Sequence, residues 1–145
     1  MATLGLTARL PAPVDLVYQV VADVERYPSF LPDVARVERQ GDLVSMTLRL
    51  GLLLVTLVTR ARFAPNQSIT LTQVRGPFRR FEARWTFVSR GPQTEVAYHA
   101  EYELPWWSPL MAVPAGLVME MQTQRQIRAF EARVRALLDS APAAG

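Results

Sequence analysis

The chain of 145 residues suits one compact domain, and half of its residues are hydrophobic, so it can fill a core. Sixteen basic and thirteen acidic residues leave a net charge of +3, which is too mild to indicate nucleic-acid binding by itself. Cysteine is absent and histidine occurs once, which excludes disulfide scaffolds, zinc and iron–sulfur sites and cysteine nucleophiles. No Asp-rich loop is present for a hard cation either, so we expect no metal and no cofactor.

The N-terminal segment MATLGLTARL lacks the basic start and apolar run of a secretory signal. The most apolar stretch, residues 43–58, contains Arg49 and Gly51 and is shorter than the roughly 20 residues of a membrane span. We therefore expect a cytoplasmic protein.

The first predicted elements are a strand and a helix. Residues 3–10 alternate in polarity, which is typical of a half-buried strand, and the prolines that follow end it. From residue 14 to residue 24, apolar residues recur every three or four positions, which indicates an amphipathic helix. The next segment, YPSFLP at 27–32, is bracketed by prolines and admits only a turn or one short helical piece.

After this segment, alternation with a period of two continues for about seventy residues. It predicts six strands, near residues 33–40, 43–51, 54–63, 67–74, 79–89 and 94–104. The separators are short and rich in turn-forming residues. Such separators favour antiparallel hairpins, because a parallel crossover needs about a dozen residues.

The end of the chain is predicted to be one long helix. Ser108 is suited to the N-cap and Pro109 to the first helical position, with the end near Asp139. Pro114 falls about one turn in, which predicts a kink or a late helix start. The apolar stripe consists of Leu110, Val113, Leu117, Met121, Gln124, Ile127, Val134 and Leu138. We assign residues 1–140 to a single domain and residues 141–145 to a flexible tail.

These elements predict an α+β fold in the order β-α-α-β6-α. A seven-stranded antiparallel sheet with one apolar face needs cover, which the long C-terminal helix supplies. A strongly curved sheet around a helix leaves space between them, and a ligand would bind there.

No arrangement in the sequence indicates catalysis. Nucleophile elbows, phosphate loops and dinucleotide fingerprints are missing. His99 could act as a general base, but alternation places it with Glu101 and Glu103 on the solvent face of a strand. Alternation also separates Arg79, Arg80 and Arg84 from the aromatic residues among them, so we expect no DNA partner. We assign no catalytic residue.

Two apolar segments lie where loops are expected. Leu52 and Leu53 occupy a hairpin tip, and Trp106 and Trp107 are adjacent in the loop before the last helix. Adjacent residues point apart, and tryptophan suits a boundary between apolar and polar surroundings. We interpret these four residues as a cavity entrance or a transient membrane contact. The alternative is ordinary packing against a neighbouring loop or a second subunit.

Residues 20–32, VVADVERYPSFLP, closely resemble the helix-to-turn segment of one group of the START-like (SRPBCC) superfamily, the coenzyme Q-binding and polyketide cyclase/dehydrase-like group. Segments 76–78, 85–87 and 91–96 are similar to the later motif of that group. The resemblance covers residues 3–135. It implies a helix-grip fold with an elongated apolar cavity between the sheet and the C-terminal helix.

Members of this group bind isoprenoid quinones, act as ribosome-association toxins or cyclise aromatic polyketides. Many relatives carry an aromatic residue and a cysteine after the Leu-Pro pair, whereas this chain has Asp33 and Val34. A function that depends on that thiol is therefore in doubt here.

Our leading hypothesis is a carrier or chaperone that binds a hydrophobic small molecule, such as a lipid or an isoprenoid quinone. One alternative is a toxin-like interaction protein that binds the ribosome through its arginine-bearing surface. Another is a polyketide cyclase or dehydratase, for which the inward positions offer only tyrosines, Thr59 and glutamines. The oligomeric state stays open.

The inward positions of strands and helices predict which side chains line the ligand cavity. Thr59, Gln73, Tyr98 and Gln124 are the polar candidates for orienting the ligand. The full set is Phe30, Leu31, Met46, Leu48, Leu57, Thr59, Ile69, Leu71, Gln73, Phe81, Trp85, Tyr98, Tyr102, Val113, Leu117, Met121 and Gln124.

Overall fold

The computed structural model describes residues 2–50, 52–107 and 115–140. Within these ranges, three helices and seven strands follow one another in the predicted order. The strands are β1 (Ala2–Leu10), β2 (Val34–Gln40), β3 (Leu43–Leu50), β4 (Leu53–Ala64), β5 (Ser68–Arg75), β6 (Arg80–Arg90) and β7 (Gln93–Glu103). The helices are α1 (Val14–Ala22), α2 (Tyr27–Phe30) and α3 (Ala115–Ser140), with a 3-10 turn (Val24–Arg26) before α2.

All seven strands form one antiparallel sheet in the order β1-β7-β6-β5-β4-β3-β2. Each consecutive pair from β2 to β7 is a hairpin, and β1 adds to the free side of β7. Gly41, Asn66 and Gly91 have positive φ angles in three of the hairpin turns, a conformation that glycine and asparagine adopt at little cost. The helix-grip α+β fold predicted from the sequence is confirmed.

The sheet is bent where the pairing register shifts. One shift lies between Val34 and Arg36 in β2, and a second lies between Val58 and Thr59 in β4. Irregularities of this kind bend a strand and increase its twist. The concave face that results is the apolar one, and the helices cover it.

The helices begin and end where proline and the apolar pattern require. α1 begins directly after Pro13, whose extended backbone provides the N-cap position. The proline-bracketed segment forms the one short helical piece that was expected, α2. The last helix is described from Ala115, directly after Pro114, while the predicted cap at Ser108 and Pro109 lies outside the described residues. No helix in the described ranges is long and apolar enough to span a membrane.

Two apolar clusters fill the space between helices and sheet. The larger one joins α1, α2 and the second half of α3 to the sheet around Phe130, which is fully buried. The smaller one lies at the other end of the concave face and contains Phe78, Phe81 and Tyr102. The candidate site lies where these clusters meet.

Candidate functional site

A cavity of about 80 Å³ lies between the concave face of the sheet and α3. Strands β2 to β7 contribute most of its wall, α2 and the turn after it contribute two residues, and α3 closes it. The described lining residues are Tyr27, Leu31, Val34, Met46, Leu48, Leu57, Thr59, Leu71, Phe81, Trp85, Tyr98, Gln126 and Phe130.

Aromatic rings form one side of the cavity. The ring centroids of Trp85 and Tyr98, opposite each other on β6 and β7, lie 4.8 Å apart. Phe130 of α3 meets the Trp85 ring edge to face at 5.3 Å and the Tyr27 ring at 5.4 Å. Edge-to-face contacts at these distances stabilise a fixed arrangement of rings. The aromatic wall therefore joins α2, the sheet and α3 at a single point.

The polar groups of the cavity differ in whether they are already bonded. The Tyr27 hydroxyl donates to the carbonyl oxygen of Val21, and the Thr59 hydroxyl donates to that of Val44 over 3.5 Å. The Tyr98 hydroxyl and the Gln126 amide have no hydrogen-bond partner among the described residues. These two groups are free to bond to a molecule inside the cavity.

Both tyrosines of the cavity are neutral hydrogen-bond donors at physiological pH. Burial raises the pKa of Tyr98 above its ordinary value. Burial also raises the pKa of Tyr27, and the negative charge of Asp23 and the neighbouring Tyr98 add to the effect. A buried phenol of this kind can donate a proton in a hydrogen bond to a carbonyl oxygen without ionising.

The structure brings many of the predicted cavity residues together. Those that line the cavity are Leu31, Met46, Leu48, Leu57, Thr59, Leu71, Phe81, Trp85 and Tyr98.

Three other predicted strand residues point inward but line no part of the cavity. Ile69 is fully buried in the larger cluster, and Tyr102 is buried in the smaller one. Gln73 is bonded by its amide to both the carbonyl oxygen and the amide nitrogen of Phe78. Alternation along a strand identifies the face of a side chain, but it does not separate a core position from a cavity position.

The predicted cavity residues on the helices do not line the cavity, as far as the described residues show. Phe30 is half-buried against the rings of Tyr27 and Phe130 and lines an outer groove beside α1. Met121 and Gln124 are exposed on α3 and do not line the cavity. Val113 and the side chain of Leu117 lie outside the described part of the chain.

Sequence reasoning missed four lining residues, Tyr27, Val34, Gln126 and Phe130. Tyr27 belongs to the segment that carries the family resemblance, and its ring could have been placed from there. Phe130 follows Ile127 by three positions and precedes Val134 by four, so it belongs to the apolar stripe of the helix. Gln126 carries no apolar signal, and nothing in the sequence pattern marks it.

A second feature is the end of the sheet where β3, β5 and β7 end, which we call the tryptophan end (residues 50, 52–54, 75–80 and 103–107). Leu52 is fully exposed at the tip of the β3–β4 turn, while Leu53 is half-buried in the smaller cluster. Trp106 and Trp107, three and four residues after β7, are 85% and 61% exposed. Of the four residues predicted to form an entrance or membrane contact, three are largely exposed.

The outer face of the sheet carries a shallow groove of about 440 Å³, and its charged lining residues are Arg60, Arg62, Arg84 and Glu82. Arg62 of β4 is opposite Thr70, Thr70 is opposite Arg84, and Arg84 is opposite His99. His99 lies 3.5 Å from a carboxylate oxygen of Glu101, on the exposed face predicted for both. The described residues contain no group of three or more His, Asp or Glu side chains that could hold a metal ion.

Known proteins resemble this chain over nearly its whole length. Residues 10–131 match the family model described as polyketide cyclase/dehydrase and lipid transport. The ribosome association toxin RatA of Escherichia coli K12 is 26% identical over 141 residues, covering 93% of this chain and 88% of the toxin. RatA of Pseudomonas aeruginosa is 26% identical over 136 residues, covering 90% and 94%.

Solved structures share the fold. A protein from Thermus thermophilus superimposes with a TM-score of 0.81 at 22% identity, over 93% of this chain and 98% of its own. The ZhuI aromatase/cyclase from Streptomyces sp. R1128 gives 0.82 at 19% identity, over 99% and 98%. Because the family model spans most of the sequence and the helix-grip fold is the one observed, the protein belongs to the polyketide cyclase/dehydrase and lipid transport family.

Proposed function

We propose that the protein binds an apolar small molecule with a carbonyl or hydroxyl group, of the lipid or isoprenoid quinone kind, and acts as its carrier or chaperone. The observation that carries the proposal is the pairing of an apolar, aromatic cavity wall with two polar groups that have no hydrogen-bond partner among the described residues, the Tyr98 hydroxyl and the Gln126 amide. Apolar burial supplies affinity, and a few placed polar groups fix the orientation of a ligand.

The observed cavity is smaller than a ligand of this kind needs. An engineered cavity of about 150 Å³ holds benzene, and pockets for drug-sized ligands occupy about 300–1,000 Å³. The 80 Å³ observed is smaller than either, so ligand binding requires the cavity to enlarge. Met46 and Gln126 are half-buried, flexible side chains of the wall, and their movement would enlarge it.

Trp85 makes ligand binding directly measurable. The chain has three tryptophans, and the double variant Trp106→Phe/Trp107→Phe leaves Trp85 as the one fluorophore of this type. Titration with a short-chain ubiquinone should quench its emission saturably, because the ring lines the cavity. If emission falls only linearly, with no saturation, and the purified protein yields no co-extracted lipid or quinone by mass spectrometry, the proposal is wrong.

The role of Tyr98 can be separated from that of the apolar wall. In the same Trp85 background, Tyr98→Phe removes one hydroxyl and should raise the Kd for the quinone about fivefold to tenfold, the effect of one lost hydrogen bond. Tyr102→Phe is the matched control, since Tyr102 is buried in the smaller cluster and does not line the cavity. Equal Kd values for the two variants would contradict the orienting role.

Ribosome association is the second candidate function, and it has its own observations. The relatives named ribosome association toxins match over about nine-tenths of this chain. On the outer face, Arg62 and Arg84 flank the Thr70 hydroxyl across three adjacent strands, an arrangement suited to backbone phosphates of RNA. We propose this basic groove as the contact surface for that function.

Gradient sedimentation with ribosomal subunits at increasing salt tests this candidate. Binding should weaken steeply with salt, and Arg62→Gln/Arg84→Gln should lower affinity and reduce the salt dependence. Arg9→Gln/Arg128→Gln is the charge-matched control, because both residues are exposed and neither lines the groove. If the protein stays out of ribosomal fractions at low salt, this candidate fails.

A further inference from the structure

The exposed apolar side chains of the described residues are concentrated at the tryptophan end. Leu52 and Leu54 are exposed there on the β3–β4 hairpin, and Trp106 and Trp107 are exposed after β7. The other large exposed hydrophobics of the described residues are Val74, Val88, Met121 and Leu138, which lie near the ends of β5 and β6 and along α3. Scattered single exposed side chains are normal in a protein surface, whereas a concentration on one set of loop tips indicates a binding surface.

The sheet topology explains why segments distant in sequence meet here. Glu103 at the end of β7 is opposite Arg80 at the start of β6, so the segments that precede β6 and follow β7 lie together. Leu53, Phe78 and Leu104 pack in the same apolar cluster, which adds the β3–β4 turn. Three loops therefore meet at one end of the fold, and two of them, 52–54 and 106–107, present exposed apolar side chains.

The charges at this end are mainly positive. Arg75, Arg79 and Arg80 are all exposed, and Arg79 lies 3.6 Å from a carboxylate oxygen of Glu103 in an exposed pair. One carboxylate beside three guanidinium groups leaves the net charge of these residues positive. The exposed pair itself contributes little to stability. Basic side chains around protruding leucine and tryptophan residues are typical of proteins that bind the surface of an anionic bilayer.

We propose that the tryptophan end docks on the surface of an anionic phospholipid bilayer. Tryptophan rings suit the headgroup level of a bilayer, where one side of the ring is apolar and the other is hydrated. Leu52 protrudes from a hairpin tip, a shape that can insert between lipids but offers little flat area for a protein partner.

The inference rests on the proposed ligand-binding function, to which docking gives a source of ligand. Leu57 and Phe81 line the cavity and also belong to the smaller cluster that reaches the tryptophan end. The rings of Phe78 and Phe81 stack at 5.0 Å within that cluster. Displacement of these rings would join the cavity to the bilayer without exposing the ligand to water.

Vesicle co-sedimentation tests docking with a double variant at the tryptophan end and a control variant that removes two exposed hydrophobic side chains elsewhere. Leu52→Ser/Trp106→Ser should weaken binding to phosphatidylcholine vesicles containing phosphatidylglycerol by about tenfold or more, as expected for the loss of a few tens of Å² of buried apolar surface. Val88→Ser/Leu138→Ser is the control, since it removes two exposed hydrophobics away from this end, and its binding should stay within about twofold. Equal losses for both variants, or none for the first, would overturn the proposal.

The charge contribution is measured separately. Arg79→Gln/Arg80→Gln should weaken binding to the anionic vesicles by about fivefold for each arginine and leave binding to pure phosphatidylcholine unchanged. Arg9→Gln/Arg128→Gln should have no such effect. Quenching by brominated phosphatidylcholine should reach Trp106 and Trp107 and disappear in the Trp106→Phe/Trp107→Phe variant, which keeps Trp85.

The outcomes separate docking from ligand binding. Saturable quinone binding at Trp85 without vesicle binding by the wild-type protein would overturn docking and leave the proposed function intact. Vesicle binding without quinone binding would overturn the proposed function and leave docking intact. A dimer in size-exclusion chromatography that Leu52→Ser/Trp106→Ser converts to a monomer, with no vesicle binding, would assign the tryptophan end to a second copy of the chain and overturn docking.

Discussion

Asp33 and Arg125 connect the turn before β2 to the middle of α3, with Oδ1 of Asp33 3.3 Å from a guanidinium nitrogen of Arg125. Asp33 is 7% exposed, and its Oδ2 has no hydrogen-bond partner among the described residues. The pair therefore holds a buried carboxylate against the helix that closes the cavity.

Removing Arg125 alone should destabilise the protein more than removing both charges of the pair. In Arg125→Gln the buried carboxylate loses its countercharge, and we expect the free energy of unfolding to fall by about 1–2 kcal/mol, less than for a fully buried pair because Arg125 is half-exposed. Asp33→Asn/Arg125→Gln removes the unpaired charge and should recover part of that loss. Urea unfolding measures both.

Arg128→Gln is the control for loss of a positive charge from α3, since Arg128 is exposed three residues further along the helix. It should change the free energy of unfolding by less than about 0.5 kcal/mol. A double variant no more stable than Arg125→Gln alone would show that the unpaired carboxylate is not the cause.

The α3 positions show how far the sequence alone can go. Successive residues of a helix turn by about 100°, so residues on one face must follow an average spacing of 3.6. Ile127, Phe130 and Val134 keep this spacing and are buried. The predicted stripe reaches Gln124 and Met121 from Ile127 in two steps of three residues, each about 60° short of a full turn. Both side chains are exposed.

The strands were easier to predict, because a period of two accumulates no such error. Val96, Ala100 and Tyr102 are buried and His99 is exposed, as alternation along β7 predicts. However, alternation does not indicate whether an inward side chain lies in the packed core or at the cavity. Ile69 and Trp85 are opposite each other in the same sheet, yet only Trp85 of these two lines the cavity, because depth depends on which helical side chain lies above each position.

Phe130 should be the most important helical side chain for both stability and the cavity. Phe130→Ala removes a fully buried ring that contacts Trp85 and Tyr27, and we expect a loss of about 3–5 kcal/mol. Phe30→Ala should cost clearly less, because that ring is half-buried. Chemical denaturation monitored by circular dichroism measures both values.

Where Phe130→Ala fails to fold, Phe130→Leu keeps part of the volume and supplies the test. The expected loss is then about 1–3 kcal/mol, with weaker Trp85–quinone quenching because one aromatic contact in the wall is gone. A Phe130→Leu protein as stable as the wild type would contradict the assignment of Phe130 as the centre of the larger cluster.

Stability should fall at alkaline pH because burial raises the pKa values of the two cavity tyrosines, Tyr27 and Tyr98. In the unfolded chain a tyrosine ionises near its ordinary pKa of about 10, while burial keeps Tyr27 and Tyr98 protonated in the folded state. The folded state therefore binds more protons above about pH 10, and each tyrosine lowers the free energy of unfolding by up to about 1.4 kcal/mol per pH unit. Below that pH both states are protonated, and the effect vanishes.

Tyr98→Phe should make this decline shallower by the share of one tyrosine, and the Tyr98 hydroxyl has no hydrogen-bond partner among the described residues to complicate the comparison. Urea midpoints at pH 8 and at a series of values above pH 10 provide the measurement. A variant with the same alkaline slope as the wild type would show that Tyr98 ionises as easily when folded as when unfolded.

Gly76, in the loop between β5 and β6, should not tolerate a side chain. A Cβ there would lie 2.6 Å from Oε1 of Gln73 and 2.8 Å from Cδ1 of Leu57, both closer than ordinary contact. The Gln73 amide cannot move aside freely, because it is bonded to both polar backbone atoms of Phe78. We expect Gly76→Ala to cost about 1–3 kcal/mol through overpacking and the loss of these hydrogen bonds.

Gly5→Ala provides the matched control in β1. The nearest atom to a Cβ at Gly5 is Nδ1 of His99 at 3.8 Å, an ordinary contact on the exposed face. The substitution should leave stability unchanged or raise it by up to about 1 kcal/mol, because alanine restricts the unfolded chain more than glycine does. Since Gln73 fixes Phe78 at the tryptophan end, Gly76→Ala should also weaken binding to anionic vesicles while Gly5→Ala does not. Equal vesicle binding by the two variants would show that docking does not depend on the Gln73–Phe78 hydrogen bonds.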